Sequence, residues 1–179
     1  MVQVDATNYS SEDDVASNKK PQAGTYHALI TRAEDSPEKF PDKVIMDFEI
    51  LAGTLPGQEG TRLTEFFATT PKAIPRLTRL AMCLGLLGPQ EKKNIDFAKA
   101  ERQQCVIEVE DTEYTKKGAS EPTKTVSISY FGFWSVGNKA VANVPKNEKF
   151  LEHVPNQKGA ESGQDEDPQG GGQNWDGFV

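Results

Sequence analysis

Three lysines, Lys116, Lys117 and Lys124, share one polar loop with Gly118, Glu121 and Pro122. Tyr114 stands just before that loop, and Phe131 and Phe133 lie along the segment after it. A second basic and aromatic group, Lys39, Phe40 and Lys43, sits at a Pro-containing stretch, and Arg32, Arg62 and Phe66 extend the set. Cations that follow phosphates and flat rings on which bases stack are what binding of a single-stranded nucleic acid requires. Neutralising phosphates releases counterions, so such binding weakens with salt. The bland alternatives are a solvated loop for the lysines and core burial for the rings. Phe48 and Phe67 are read as core, and Trp134, on the Tyr130 face, as packed. Asp47 and Glu49 lie where they would repel phosphates and count against a simple basic groove.

Catalytic chemistry has less to work with. His27 and His153 are far apart, and neither belongs to a nucleophile or metal motif. No glycine-rich phosphate loop is present, and Cys83 and Cys105 lack ligand spacing. Asp47, Glu49 and Glu65 offer only a thin basis for a metal-dependent nuclease. The residues therefore predict a binding protein, not an enzyme, with no cofactor and no metal. The two cysteines lie in apolar surroundings and read as reduced core thiols of a cytosolic protein.

The positioning elements follow from periodicity. Residues 24–34, 43–51 and 61–69 alternate with period two, as half-buried antiparallel strands do. Val44, Met46, Phe48 and Ile50 are assigned inward on the second strand, Leu63 and Phe67 on the third. The period then changes. Ile74, Leu77, Leu80, Ala81 and Leu84 recur at three- and four-residue spacing, predicting an amphipathic helix over 72–87. Thr70 is expected to cap it, with Pro71 in the first turn and Gly88-Pro89 as the stop. Residues 90–104, with Ile95 and Phe97, form a short second helix or an apolar clasp. Two more alternating strands lie within 105–136, and residues 139–154 have no clear period.

Charge is unevenly placed. The 179-residue chain has a net charge of −7. Residues 1–20 hold Asp5, Glu12, Asp13 and Asp14 against Lys19 and Lys20; residues 159–179 hold five acids and no base. The ends account for the whole excess, and the middle is neutral. The predicted organisation is an acidic arm at 1–20, one domain at 21–154 and a disordered Gly/Gln-rich tail at 155–179. The tail carries Asp165, Glu166 and Asp167 and ends on a tip with Trp175, Asp176 and Phe178. Large apolar groups serve no purpose in a mere solubility tag, so the tail is read as a partner-docking motif. Neither an export signal nor an apolar run long enough for a membrane span is seen.

The order strand–strand–strand–helix–strand–strand predicts a mainly β (α+β) fold, a five-stranded OB-like Greek-key barrel. Such barrels bind oligonucleotides on strands two and three and through loops one-two and four-five, where the two basic groups fall. The runs Gly24–Ile30, Lys43–Gly53, Thr70–Leu77 and Cys105–Tyr114 further resemble a family of small bacteriophage proteins from replication and recombination gene clusters. Those proteins are regarded as single-stranded DNA-binding proteins, and the resemblance covers roughly residues 22–136. Asp165–Pro168 and Asn174–Val179 are similar to the tails of bacterial single-strand-binding proteins. Their usual tip has consecutive acids before a terminal Pro-Phe, whereas here one acid separates Trp175 from Phe178, and Val179 is last. The resemblance implies a host-cytoplasmic protein that coats single-stranded DNA and recruits replication or recombination proteins through its tail; a homo-oligomer is compatible with it. The alternative is an interaction adaptor of a replication complex that touches no nucleic acid.

Overall fold

The structure, a computed structural model, describes residues 19–118 and 120–147. Residues 1–18 of the arm and the whole tail, with Asp165, Glu166, Asp167, Trp175, Asp176 and Phe178, lie outside the described residues.

Five strands, β1 (Gly24–Asp35), β2 (Lys43–Gly53), β3 (Arg62–Ala68), β4 (Gln104–Tyr114) and β5 (Thr123–Trp134), form one antiparallel sheet in the order β3-β2-β1-β4-β5. One α-helix, α1 (Ile74–Cys83), connects β3 to β4. The fold is mainly β, as the alternating segments required. Tyr26, Ile30, Met46, Phe48, Ile50, Phe67 and Ile107 are almost wholly buried on one face of the sheet, with Leu77, Leu80 and Ala81 of α1 packed on them. Register shifts in the β1–β2 pairing, between His27 and Ala28 and between Ile30 and Arg32, bend the sheet around this core.

The helix is shorter than its apolar period suggested. Thr70 gives no side-chain cap; its carbonyl instead accepts from Ala73 and Ile74 N–H in a preceding turn. Pro75 therefore occupies the first helical turn, where its missing N–H costs nothing. At the other end Gly85, at φ +68°, adopts the left-handed conformation. Leu86 N–H then bonds Ala81 O and Gly85 N–H bonds Met82 O, the paired closure of a Schellman motif. This glycine stops the helix before Gly88-Pro89 is reached.

The sheet's two edge strands are brought together by side chains. Arg76 of α1 donates from Nη1 to Glu65 on β3 (3.0 Å), from Nη2 to Ile128 O on β5 (2.8 Å) and from Nε to Tyr130 O (3.1 Å). Glu65 accepts in turn from Ile128 N–H at 3.4 Å. The ion pair is nearly buried, its side chains 12% and 11% exposed, and the guanidinium lies 4.8 Å from the Phe67 ring centre and 5.5 Å from that of Phe133. Arginine and glutamate thus supply across this seam the bonds that a strand ladder supplies elsewhere. Burial pushes the Glu65 carboxyl above its ordinary range, opposed by Arg76.

Residues after β5 fold back on the sheet. Val141 and Val144 bury Val106, with Trp134 beside them, and the Val144 carbonyl lies 3.3 Å from His27 Nε2. His27, on the sheet face opposite Tyr26 and Ala28, is for this reason buried.

The end of β5 corrects another expectation. Val109 pairs with Ile128 but Ile107 pairs with Phe133, so the residues between form a bulge opposite Glu108. An odd step of five residues reverses the faces. Phe133, expected as an exposed stacking ring, is fully buried against Phe67 and is unavailable for stacking. Trp134, expected on the Tyr130 face, joins the small valine cluster with Arg79 over its ring. Gly132 permits the bulge, since a Cβ there would overlap Ser129 Oγ and come within 2.9 Å of Glu108 Cβ.

Candidate nucleic-acid interface

The loop from β1 to β2 is a tight structure. Ser36 N–H bonds Lys43 O, Phe40 N–H bonds Pro37 O and Lys43 N–H bonds Phe40 O. This folding carries Phe40 over to β3, where its ring meets Phe66 edge-on with centres 5.7 Å apart. Lys43 Nζ stands over both rings, 5.3 Å from Phe40 and 5.7 Å from Phe66. Phe40 is 38% and Phe66 46% exposed. Phe66 projects outward because its neighbours Leu63 and Phe67 take the inward positions of β3. The result is two exposed rings sharing one cation, a composition suited to a base and its phosphate.

Phe66 also borders a groove of about 650 Å³ at the seam, lined further by Lys20, Arg62, Thr64, Tyr114, Thr125 and Ser127. One side is β3 and the other β5, and each strand is an edge of the sheet. Tyr114, exposed at the end of β4, stands across the groove from β3. Its loop then carries Lys116 and Lys117, while Lys124, expected in the loop, lies in the first residues of β5; all three are exposed. Phe40, Lys43, Phe66, Arg62 and Tyr114 are therefore gathered along one continuous surface, with Lys20 added. Lys20 belongs to a stretch read as arm, so its residue type alone suggests no place in the site.

The charges on this surface are less free than their number suggests. Arg62 donates from Nε and Nη2 to Glu49 at 3.0 and 2.8 Å. Arg32 bonds Glu34 at 2.7 Å and reaches Asp47 at 3.5 Å, while Thr64 Oγ1 donates to Asp47. The acids that seemed to oppose phosphate binding are thus engaged by the arginines, and the arginines are engaged by them. On the other side Glu113 faces Lys124 in register, and Glu110 and Asp111 precede it. Lysines 39, 43, 116 and 117 remain the principal cations for phosphate.

Phe131 stands elsewhere. It is 51% exposed, meets Tyr130 edge-on at 4.7 Å, and lines a second groove of about 1050 Å³ between α1 and β5. Ile74, Pro75, Met82 and Trp134 supply that groove's apolar surface, with Arg79 and Glu108 beside them. Helical spacing had assigned Ile74 to the packed stripe, yet it is 47% exposed. The bulge in β5, which no alternation pattern records, lifts Phe131 toward the helix.

Reactive groups are quiet. Burial raises the pKa of both thiols, which are unbonded to each other, so neither is a ready nucleophile. Burial holds His27 below the ordinary histidine range, with its Nδ1 unpartnered. Among the described residues no group of three His, Cys, Asp or Glu side chains is placed to hold a metal ion, and no helix is long and apolar enough to cross a membrane. No family model matches the chain, and no curated protein matches it.

Proposed function

We propose that this chain binds single-stranded DNA without strong sequence preference. The observation that carries the reading is the exposed Phe40–Lys43–Phe66 cluster, continuous with the Tyr114- and Lys20-lined groove. Rings of this kind accept any base face, which favours sequence tolerance, and lysines track the backbone. Duplex DNA hides its base faces in the stack and gains less from the same surface.

The strand order, the helix between β3 and β4 and the Glu65–Arg76 link between edge strands support reading the sheet as an OB-type barrel. The stretches resembling phage proteins of replication and recombination support that setting. On this reading the tail, through Trp175, Asp176 and Phe178, docks replication or recombination proteins. The second reading, an adaptor for other proteins, draws support from the apolar groove around Ile74, Met82 and Phe131.

Titrating labelled single-stranded and duplex oligonucleotides at low and moderate salt tests the proposal. Single-strand preference that weakens with salt is expected, and equal affinity for the two forms refutes it. Substituting Lys116, Lys117 and Lys124 by Glu separates the two readings. A DNA binder loses affinity, whereas an adaptor keeps its protein partners.

A further inference from the structure

The charges that line the groove between β3 and β5 are already engaged. They belong to three side chains, Lys20, Arg62 and Glu65. Arg62 is paired with Glu49 at 2.8 Å and Glu65 with Arg76 at 3.0 Å, while Lys20 Nζ donates to Thr125 Oγ1 at 2.9 Å. A phosphate entering here would meet the Glu65 carboxylate as well as Lys20. The lysines suited to phosphate, 39, 43, 116 and 117, are not among the lining residues. Free cations thus flank the groove, and its interior suits a neutral polar ligand.

Its size and surfaces are those of a heterocycle site. A volume of about 650 Å³ falls within the range of pockets for small organic ligands, roughly 300–1,000 Å³. Phe66 and Tyr114 are half-exposed rings on its two sides, and Leu63 and Val126 add apolar surface. The Ser127 hydroxyl has no partner among the described residues. Both Glu65 oxygens accept, Oε1 from Arg76 and Oε2 from Ile128 N–H, which holds the group as an acceptor. An ionised carboxylate has about four acceptor positions, so roughly two stay open. Nearly buried, they bind a ligand N–H more strongly than an exposed carboxylate would. In cytosine and adenine an exocyclic amine lies beside a ring nitrogen that accepts. Thymine and uracil present a carbonyl in place of that amine, and a carboxylate repels it.

We propose that the β3–β5 groove is a base pocket, in which one base of a bound single strand stacks between Phe66 and Tyr114. Its exocyclic amine donates to Glu65, and its ring nitrogen accepts from the Ser127 hydroxyl. The lysines outside the groove hold the neighbouring phosphates. The pocket rests on the reading of this face as the single-strand site. It adds a preference at one nucleotide for cytosine or adenine over thymine or uracil, within binding that is otherwise sequence-tolerant.

The experiment titrates the full chain with labelled oligo(dC) and oligo(dU) of equal length, read by anisotropy at about pH 8, where cytosine is unprotonated. These bases differ only at the amine and the neighbouring ring nitrogen. Oligo(dC) should bind about three- to tenfold more tightly, the net effect of about one hydrogen bond. Ser127→Ala, at a hydroxyl with no bond to lose, should narrow the gap. Glu65→Gln should close it, because an amide can turn its N–H toward a carbonyl. Glu65 also holds the seam, so a thermal melt accompanies that variant. If it does not fold, oligo(dC) dimethylated on its amine makes the same test on the parent protein and should bind no better than oligo(dU). Equal affinity for oligo(dC) and oligo(dU) overturns the pocket and leaves the single-strand reading standing. A preference that survives the substitutions and the dimethylation arises elsewhere and also overturns it. Binding of neither oligonucleotide refutes the single-strand reading, and the pocket with it.

Discussion

Replacing Arg76 by methionine should be among the most damaging single changes in this domain. The substitution keeps much of the stem that lies among Phe67, Tyr130 and Phe133 and removes the guanidinium. Glu65 is left 11% exposed with its counter-charge gone, and the carbonyls of Ile128 and Tyr130 lose their donors. Removing one partner of a buried ion pair costs about 3–5 kcal/mol, because the stranded charge keeps its desolvation penalty. A surface pair would cost about 1 kcal/mol or less, but this one is too little exposed for that figure to apply. Against a total stability of about 5–15 kcal/mol, the loss is large. For a domain of this size it corresponds to a melting temperature lower by roughly 10–20 °C. Urea unfolding followed by circular dichroism measures it directly. The double variant Glu65→Leu with Arg76→Met should lose less than the sum of the two single changes, since no charge is then stranded. If Arg76→Met lies within about 1 kcal/mol of the parent, or the two changes add, the seam is not held as described.

Phe66→Ala should weaken oligo(dT) binding about 5- to 150-fold, the equivalent of one lost stacking contact of about 1–3 kcal/mol, with little change in melting because the ring is half exposed. Anisotropy beside a thermal melt checks both halves. Gly132→Ala should destabilise by about 1–3 kcal/mol, since the added methyl meets Glu108 Cβ as well as the Ser129 hydroxyl bonded to Glu108; denaturant titration reads it. His27 should make stability pH-dependent. Its folded pKa lies below the ordinary 6.5, so in the window beneath 6.5 the unfolded chain holds the extra proton. Stability is full above that value and declines as pH falls toward the lowered one, and His27→Gln should flatten melting curves compared between pH 7 and 5.

Periodicity made the five strands and the helix legible, because Val44–Ile50 and Leu77–Leu84 bury one face each. Three things escaped it. The parity of β5 changes at a bulge marked in the sequence by Gly132, so Phe133 turns into the core and Trp134 packs on the valine cluster of the other face. His27 is covered by Val141 and Val144, from a segment too irregular to assign, and a cover of that kind is a tertiary fact. Arg76 carries no assignment from the sequence and Glu65 enters only as a thin nuclease candidate; only the approach of β3 to β5 gives them a common task. The Phe40–Lys43–Phe66 group was legible as residue types; that all three share one contact depended on the turn at Pro37–Lys43. The arginines' engagement by Asp47 and Glu49 follows from register, which composition does not carry.

The central claim is tested most directly by anisotropy titration of the full chain with a labelled oligo(dT) and with a duplex of equal length across a salt series. Three to five lysine–phosphate contacts predict a slope of log K on log salt of about −2 to −3.5, at roughly 0.7 per contact on a single strand. The predicted result is that slope with at least about tenfold preference for the single strand, supplied by base stacking on Phe40, Phe66 and Tyr114. Equal affinity for duplex and single strand, or no binding at low salt, would contradict the account.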